Sequence, residues 1–244
     1  MSSQQAQAPA ATFPATIVAI RQETPTIKSF VLECSAAAFA FMPGQWIDLH
    51  VEIAGHDEVG GYSMINAPRG DGRIELAIKY SDTHAVTRYL HENARVGDRV
   101  AVSNGSGSFY YEPGMGDRVV LIGAGVGVTP LLSIMRHISS EQPQVEVTLL
   151  YSVAVPEEVL FAEELAQMRR TREKTRVLIT VTQPQGTRWT GLTGRIDARK
   201  LAEAGLSQGT VYFICGPGEM VDNTARMLVE LGVPEHKVIF EKWW

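Results

Sequence analysis

Three glycines at alternate positions, Gly123, Gly125 and Gly127, lie in the run Leu121-Ile-Gly-Ala-Gly-Val-Gly-Val-Thr-Pro130. The residues before them are β-branched and apolar. Those after Pro130 (Leu131, Leu132, Ile134, Met135 and Ile138) keep a helical spacing. A buried strand that breaks into glycines and then opens a helix can bring backbone N–H groups up to a phosphate, because no Cβ stands in the way. Pro130 suits the first turn of such a helix, where a missing N–H costs nothing. The run departs from the usual dinucleotide fingerprint at Val126 and Val128. A pyrophosphate cradle and a ligand-free tight turn therefore both fit these residues. A second segment, Cys215-Gly216-Pro217, repeats the theme of strand, glycine, proline and helix, and Glu219 follows in the first helical turn, beside the helix dipole.

Composition narrows the chemistry. Two cysteines, Cys34 and Cys215, are too few for an iron–sulfur cluster or a disulfide framework, and a reduced cytoplasmic protein is expected. Six scattered histidines show no metal-ligand spacing, so no metal site is expected. A formal net charge of −5 without a Lys/Arg cluster argues against nucleic acid. No apolar run is long enough for a membrane span. Residues 1–12 have neither a basic start nor an apolar centre and are expected to form a flexible tail.

The elements that must carry these loops divide the 244 residues in two. Residues 13–112 punctuate as a small antiparallel barrel. Strands are expected at Ala15–Arg21, Ile27–Glu33, Trp46–Ile53, Tyr62–Ile65, Arg73–Lys79 and Arg99–Ser103, with turns at 42–44, Gly60-Gly61 and 70–72 and a short helix at Ala85–Asn93. A linker is expected at 113–117. Residues 118–244 alternate strand and helix, which predicts a doubly wound, parallel, five-stranded sheet. Its strands fall at Arg118–Ile122, Glu146–Tyr151, Arg176–Thr182, Thr210–Cys215 and Lys237–Phe240. Its helices fall at Pro130–Ser140, Glu157–Arg170, Ala198–Ala204 and Glu219–Leu231. Ligands bind such sheets at the carboxyl ends of the strands, which is where both glycine loops and Ser152 lie.

In that order, several segments resemble the ferredoxin–NADP reductase superfamily of flavoproteins. They are Phe41-Met-Pro-Gly-Gln45, Tyr62-Ser63 with Pro68, Val86-Thr-Arg-Tyr-Leu90, Gly97-Asp98, Gly107 to Phe109, Gly123 to Pro130, Cys215-Gly-Pro217 and Glu241-Lys-Trp-Trp244. The Trp-Trp end resembles a subgroup of small, stand-alone oxidoreductase NAD-binding-domain proteins. The resemblance implies an FAD-binding barrel followed by an NAD(P)-binding domain. It implies flavin contacts from Tyr62, Ser63, Met64, Ile78 and Lys79, and pyrophosphate contacts from the helix start at Val86 and Thr87. It implies nicotinamide-nucleotide contacts from Gly123, Gly125, Gly127, Thr129, Pro130, Ser152, Gly216, Pro217 and Met220. One of Trp243 and Trp244 would stack on the flavin, and Ser63, Cys215 and Glu241 would form the catalytic set.

The implied activity is an FAD-dependent reductase that takes hydride from NAD(P)H and passes electrons to a separate acceptor, a protein or a small molecule. A non-catalytic electron-transfer subunit or a nucleotide-sensing module is the alternative. A monomer is expected. Two departures from the family pattern stand out. Gly60 occupies a position where the pattern usually has Arg, which predicts weaker FAD binding unless Lys79, Arg69 or His84 supplies the charge. Asn104-Gly-Ser106 replaces a usual Gly-Pro.

Overall fold

The structure, a computed structural model, describes residues 11–35 and 38–243. The first sheet is antiparallel. It contains β1 (Thr12–Thr24), β2 (Ile27–Cys34), β3 (Trp46–Ile53), β4 (His56–Ser63), β5 (Arg73–Lys79) and β6 (Arg99–Ser103), in the order β4-β3-β6-β1-β2-β5. An isolated antiparallel bridge from Met64 to Leu76 joins the two edge strands and closes the barrel. Alternate residues of these strands (Ile17, Phe30, Leu32, Ile47, Leu49, Ile74 and Leu76) fill its interior. A short helix, α1 (Ala85–Glu92), follows β5.

The second sheet is parallel. Its strands are β7 (Arg118–Ala124), β8 (Glu146–Val153), β9 (Thr175–Val181), β10 (Leu192–Thr193), β11 (Thr210–Pro217) and β12 (Val238–Trp243), in the order β10-β9-β8-β7-β11-β12. The two-residue β10 adds a sixth strand at one edge to the five expected. Helices α2 (Val128–Glu141), α3 (Ala162–Thr171), α4 (Ala198–Gly205) and α5 (Gly218–Glu230) cover the sheet. Val119 to Ile122 are wholly buried, as the apolar run at both faces of a central strand requires. Every residue of α2 from Val128 to Met135 is buried too. This helix is packed between the two halves, and its cluster includes Ile27, Ile65, Phe109 and Tyr111 from the first half.

Four expectations are corrected. Thr12 belongs to β1, paired with Ser103, and not to the tail; residues 1–10 lie outside the described residues. The fourth strand begins at His56, and Gly60-Gly61 is strand, not turn. The turn is instead Ala54-Gly55, where both residues have positive φ (51° and 80°), which matches the right-handed twist of a two-residue hairpin. The helix expected over Glu157–Arg170 is broken, because Phe161 takes a left-handed backbone (φ 54°) between a 3-10 turn at Pro156–Glu158 and α3.

Among the described residues, no helix is long and apolar enough to cross a membrane.

Candidate active site

A cavity of about 930 Å³ opens between the barrel and the carboxyl ends of the parallel strands. The end of β4 supplies Tyr62 and Ser63, the end of β5 supplies Ile78 and Lys79, and the start of α1 supplies Val86 and Thr87. Across from them stand Val126 and Thr129 of the glycine turn and Glu241 and Trp243 of β12.

The α1 terminus is open to a ligand. His84 precedes it without a side-chain cap, and Thr87 Oγ1 already donates to the Ser81 and His84 carbonyls, both at 3.0 Å. Its first N–H groups therefore lack protein acceptors, and an anion suits them.

The three glycines do different work. A Cβ on Gly123 would lie 2.7 Å from Leu131 Cδ1, so this residue lets α2 pack on β7. A Cβ on Gly127 would lie 2.6 Å from Gly216 Cα and 2.7 Å from Cys215 O, so this residue brings the two loops into contact. Gly125 alone of the three has a left-handed backbone (φ +53°), and a Cβ there would meet nothing within 4 Å, so the turn has open space on that side.

β12 pairs with β11 so that Cys215 stands beside Glu241 and Pro217 beside Trp243. Glu241 and Trp243, two apart on one strand, share a face. Burial, helped by the Glu241 carboxylate, pushes the Cys215 thiol well above its ordinary range, and the Trp243 indole offsets only part of that. That direction disfavours the nucleophilic thiolate form of Cys215. Burial also raises Glu241, against a smaller lowering by the Trp243 indole N–H. That N–H, Glu241 Oε2 and Ser63 Oγ are all buried without a hydrogen-bond partner of proper geometry. Three orphaned polar atoms around one cavity call for a ligand with donors and acceptors of its own. Burial likewise raises Tyr62 and keeps its phenol protonated.

The Glu241 shift has a measurable consequence. An acid whose folded pKa is raised favours the native state below its unfolded pKa and loses that advantage as pH rises through the folded value. The ligand-free Glu241→Gln variant should thus gain stability over wild type from pH 5 to 8. The gain should vanish near pH 4 in pH-resolved thermal melts; an equal effect at every pH would refute the assignment.

Other expected residues lie outside the cavity lining. Met64 is core beneath the bridge to Leu76. Pro130 is buried within α2, and Ser152 is buried at the end of β8, opposite Ala124. Gly216 rests against Met220, whose Cε would lie 2.6 Å from an added Cβ, and Pro217 caps α5. Trp244 lies outside the described residues.

The sequence reading missed Trp46, Asp48, Glu58, Ser81, Thr83 and Lys242 in the lining. The signal for the first of these was alternation. Ile47, Leu49 and Val51 face the core, which leaves Trp46 as a large aromatic on the other face, paired with Ser63.

A Cβ on Gly60 would lie 2.5 Å from Tyr62 Oη and 2.7 Å from its ring, so a side chain at this position would require the Tyr62 ring to swing aside.

Residues 15–111 match the oxidoreductase FAD-binding domain family and residues 121–226 the oxidoreductase NAD-binding domain family. The chain is 34% identical over 253 residues to oxidoreductase NAD-binding domain-containing protein 1 of Danio rerio, covering 95% of this chain and 92% of that protein. It is 29% identical over 239 residues to ferredoxin–NADP reductase B of Sorangium cellulosum, covering 95% and 97%. Among solved structures, the flavohem-like FAD/NAD-binding domain of nitric oxide dioxygenase from Vibrio cholerae superposes with a TM-score of 0.84 at 28% identity, over 95% of this chain and 98% of that one. Matches of this extent to both halves, in this order, make the chain a member of the ferredoxin–NADP reductase superfamily of flavoproteins, an oxidoreductase whose cofactors are FAD and NAD(P)H.

Proposed function

We propose that the chain is an NAD(P)H-dependent reductase in which Tyr62, Ser63, Ile78, Lys79, Val86 and Thr87 hold FAD and the Gly123–Pro130 turn, with Ser152 and the Cys215–Pro217 loop, holds the nicotinamide nucleotide. One observation carries this reading: the orphaned Ser63 Oγ of the barrel and the orphaned Glu241 Oε2 of the parallel sheet are buried around the same cavity as the glycine turn. Such a cavity fits a ring system edged with donors and acceptors. Bound FAD supplies the redox chemistry, accepting hydride from the nicotinamide and releasing electrons singly or in pairs.

The chain's own groups bind, orient and exclude water. The open N–H groups of α1 take the pyrophosphate charge. Lys79, which lines the same cavity, supplies a cation in place of the arginine that Gly60 lacks, and His84 at the start of α1 lines it too. Ser63 offers a hydroxyl to the flavin ring, and Glu241 offers a carboxyl group that burial biases toward its protonated, donor form. Trp243 covers the ring and keeps solvent away. The acceptor would be a separate protein or small molecule. Two free, buried cysteines are in keeping with a reducing, cytoplasmic setting, and we place the protein there as a monomer.

The test is direct. Purified protein loaded with excess FAD should retain FAD and not FMN by mass spectrometry of the released chromophore, and it should bleach under argon with NADH or NADPH. Stopped-flow comparison of the two names the preferred donor. Recovery of FMN, or a bound flavin that neither nucleotide bleaches, would refute the reading. The second outcome would favour a nucleotide-sensing or non-catalytic electron-transfer role.

A further inference from the structure

The glycine turn belongs to one half of the molecule and the Tyr62-Ser63 strand end to the other. Apolar packing of α2 against both halves holds them together but is non-directional, and a misplacement of about 1 Å between reacting groups costs on the order of a hundredfold in rate. Something must set their spacing. Helix α2 begins directly at the glycine turn, and its residues Thr129, Ser133 and Arg136 fall on one face by helical spacing. Thr129 lines the cavity. One turn on, Ser133 Oγ donates to the Asn66 carbonyl at 2.7 Å, and nearly a turn further Arg136 Nη1 donates to the Ile65 carbonyl at 2.8 Å. Both acceptors lie in the peptide that leaves Ser63.

That peptide is itself held. Met64 N–H donates to Gln45 O at 3.2 Å and Ile65 N–H to Glu75 O at 2.8 Å. The Asn66 amide donates to Arg73 O and accepts from Glu75 N–H, both at 2.9 Å. Arg136 is equally fixed at its other end. It makes two bonds to Glu164 (2.8 and 2.5 Å), stands 3.7 Å from Glu75 of the barrel, and lies 4.9 Å over the Phe161 ring. Phe161 is one of only two non-glycine residues with positive φ among the described residues, and this backbone turn sets its ring at the start of α3. A strained residue beneath a guanidinium shared by both halves marks a joint whose geometry is imposed.

We propose that Ser133 and Arg136 are positioning residues, which tie α2 to the peptide after Ser63 and so fix the distance between the nicotinamide loop and the flavin strand. This rests on the reductase reading above.

Ser133→Ala removes one tie at little cost in volume. Arg136→Lys keeps the charge, but one ammonium cannot serve the Ile65 carbonyl and the paired Glu164 oxygens together. For each variant, NAD(P)H-driven bleaching of bound FAD should slow about tenfold, and the charge-transfer absorbance should weaken. FAD affinity and nicotinamide KM should stay within about twofold, as expected when only the spacing is lost. In FAD-free protein, amide exchange at Met64 and Ile65 should speed up. Wild-type bleaching rate and charge-transfer absorbance in a folded Ser133→Ala or Arg136→Lys protein would overturn the proposal, as would exchange unchanged at both amides. A wild-type protein that does not bleach at all would instead sink the reductase reading, and the exchange measurement would still decide whether the tie exists.

Discussion

Gly127→Ala should abolish NAD(P)H-driven flavin reduction and lower stability by about 1–3 kcal/mol, the usual cost of an extra methyl in a packed site. Its backbone is ordinary (φ −63°), so the cost is not strain. The added Cβ would meet Gly216 Cα at 2.6 Å, Cys215 O at 2.7 Å and Gly216 N at 2.8 Å. All three are backbone atoms and cannot swing aside. The glycine turn and the Cys215 loop would be forced apart, and the proposed nicotinamide site lies on both. Gly125→Val makes the contrast. Its Cβ meets no protein atom within 4 Å, but a left-handed φ of +53° imposes about 1–2 kcal/mol of backbone strain on any L side chain. Its branched side chain would enter the open space where the dinucleotide is proposed to lie. Gly125→Val should therefore keep the flavin spectrum and lose reduction by NAD(P)H. Thermal melts and anaerobic stopped-flow on both variants separate the two effects. Wild-type reduction by Gly127→Ala would refute the assignment of the loop contact, and wild-type reduction by Gly125→Val would misplace the cradle.

These two glycines show what a sequence can and cannot display. Period-two and helical apolar patterns located the strands flanking both loops, because burial on both faces of β7 and on all sides of α2 from Val128 to Met135 leaves a continuous hydrophobic record. Which glycine faces a ligand and which faces another backbone depends on a contact between residues about 90 apart, and no local pattern encodes it. The Ala54-Gly55 hairpin escaped notice because alanine is a rare occupant of a left-handed position, whereas Gly60-Gly61 drew attention while lying within β4. Phe161 hid its break inside a run of good helix formers for the same reason. The ties from Ser133 and Arg136 span 67 and 71 residues and join two polar side chains to bare carbonyls, which carry no residue signature at all. Of the residues expected from the family resemblance to be catalytic, Cys215 and Glu241 stand side by side through strand register, a relation visible only once β11 and β12 are paired, while Ser63 comes from β4 of the other half.

Removing the terminal tryptophans should tighten nicotinamide binding. Trp243 is half-buried, lines the cavity, and is held by strand pairing opposite Pro217. On the proposed reading it occupies the face of the flavin that the nicotinamide must reach, so each binding event displaces it. Stacking of one aromatic is worth about 0.5–1.5 kcal/mol beyond its buried area. At about 1.4 kcal/mol per factor of ten, its loss should raise NAD(P) affinity roughly two- to tenfold. Oxidised nucleotide should then linger as a charge-transfer complex, and flavin fluorescence should rise as the indole quencher leaves. Trp243 also packs on the central core cluster, so Trp243→Ala should cost roughly half of the ~3–5 kcal/mol typical of a fully buried Trp→Ala change. That loss alone would be the whole effect were the residue only packing. Comparing Trp243→Ala with deletion of Trp243 and Trp244 together assigns the share of each. Reduced stability with unchanged fluorescence and an unchanged NAD(P) dissociation constant in both proteins would exclude the gate and leave Trp243 as a core residue.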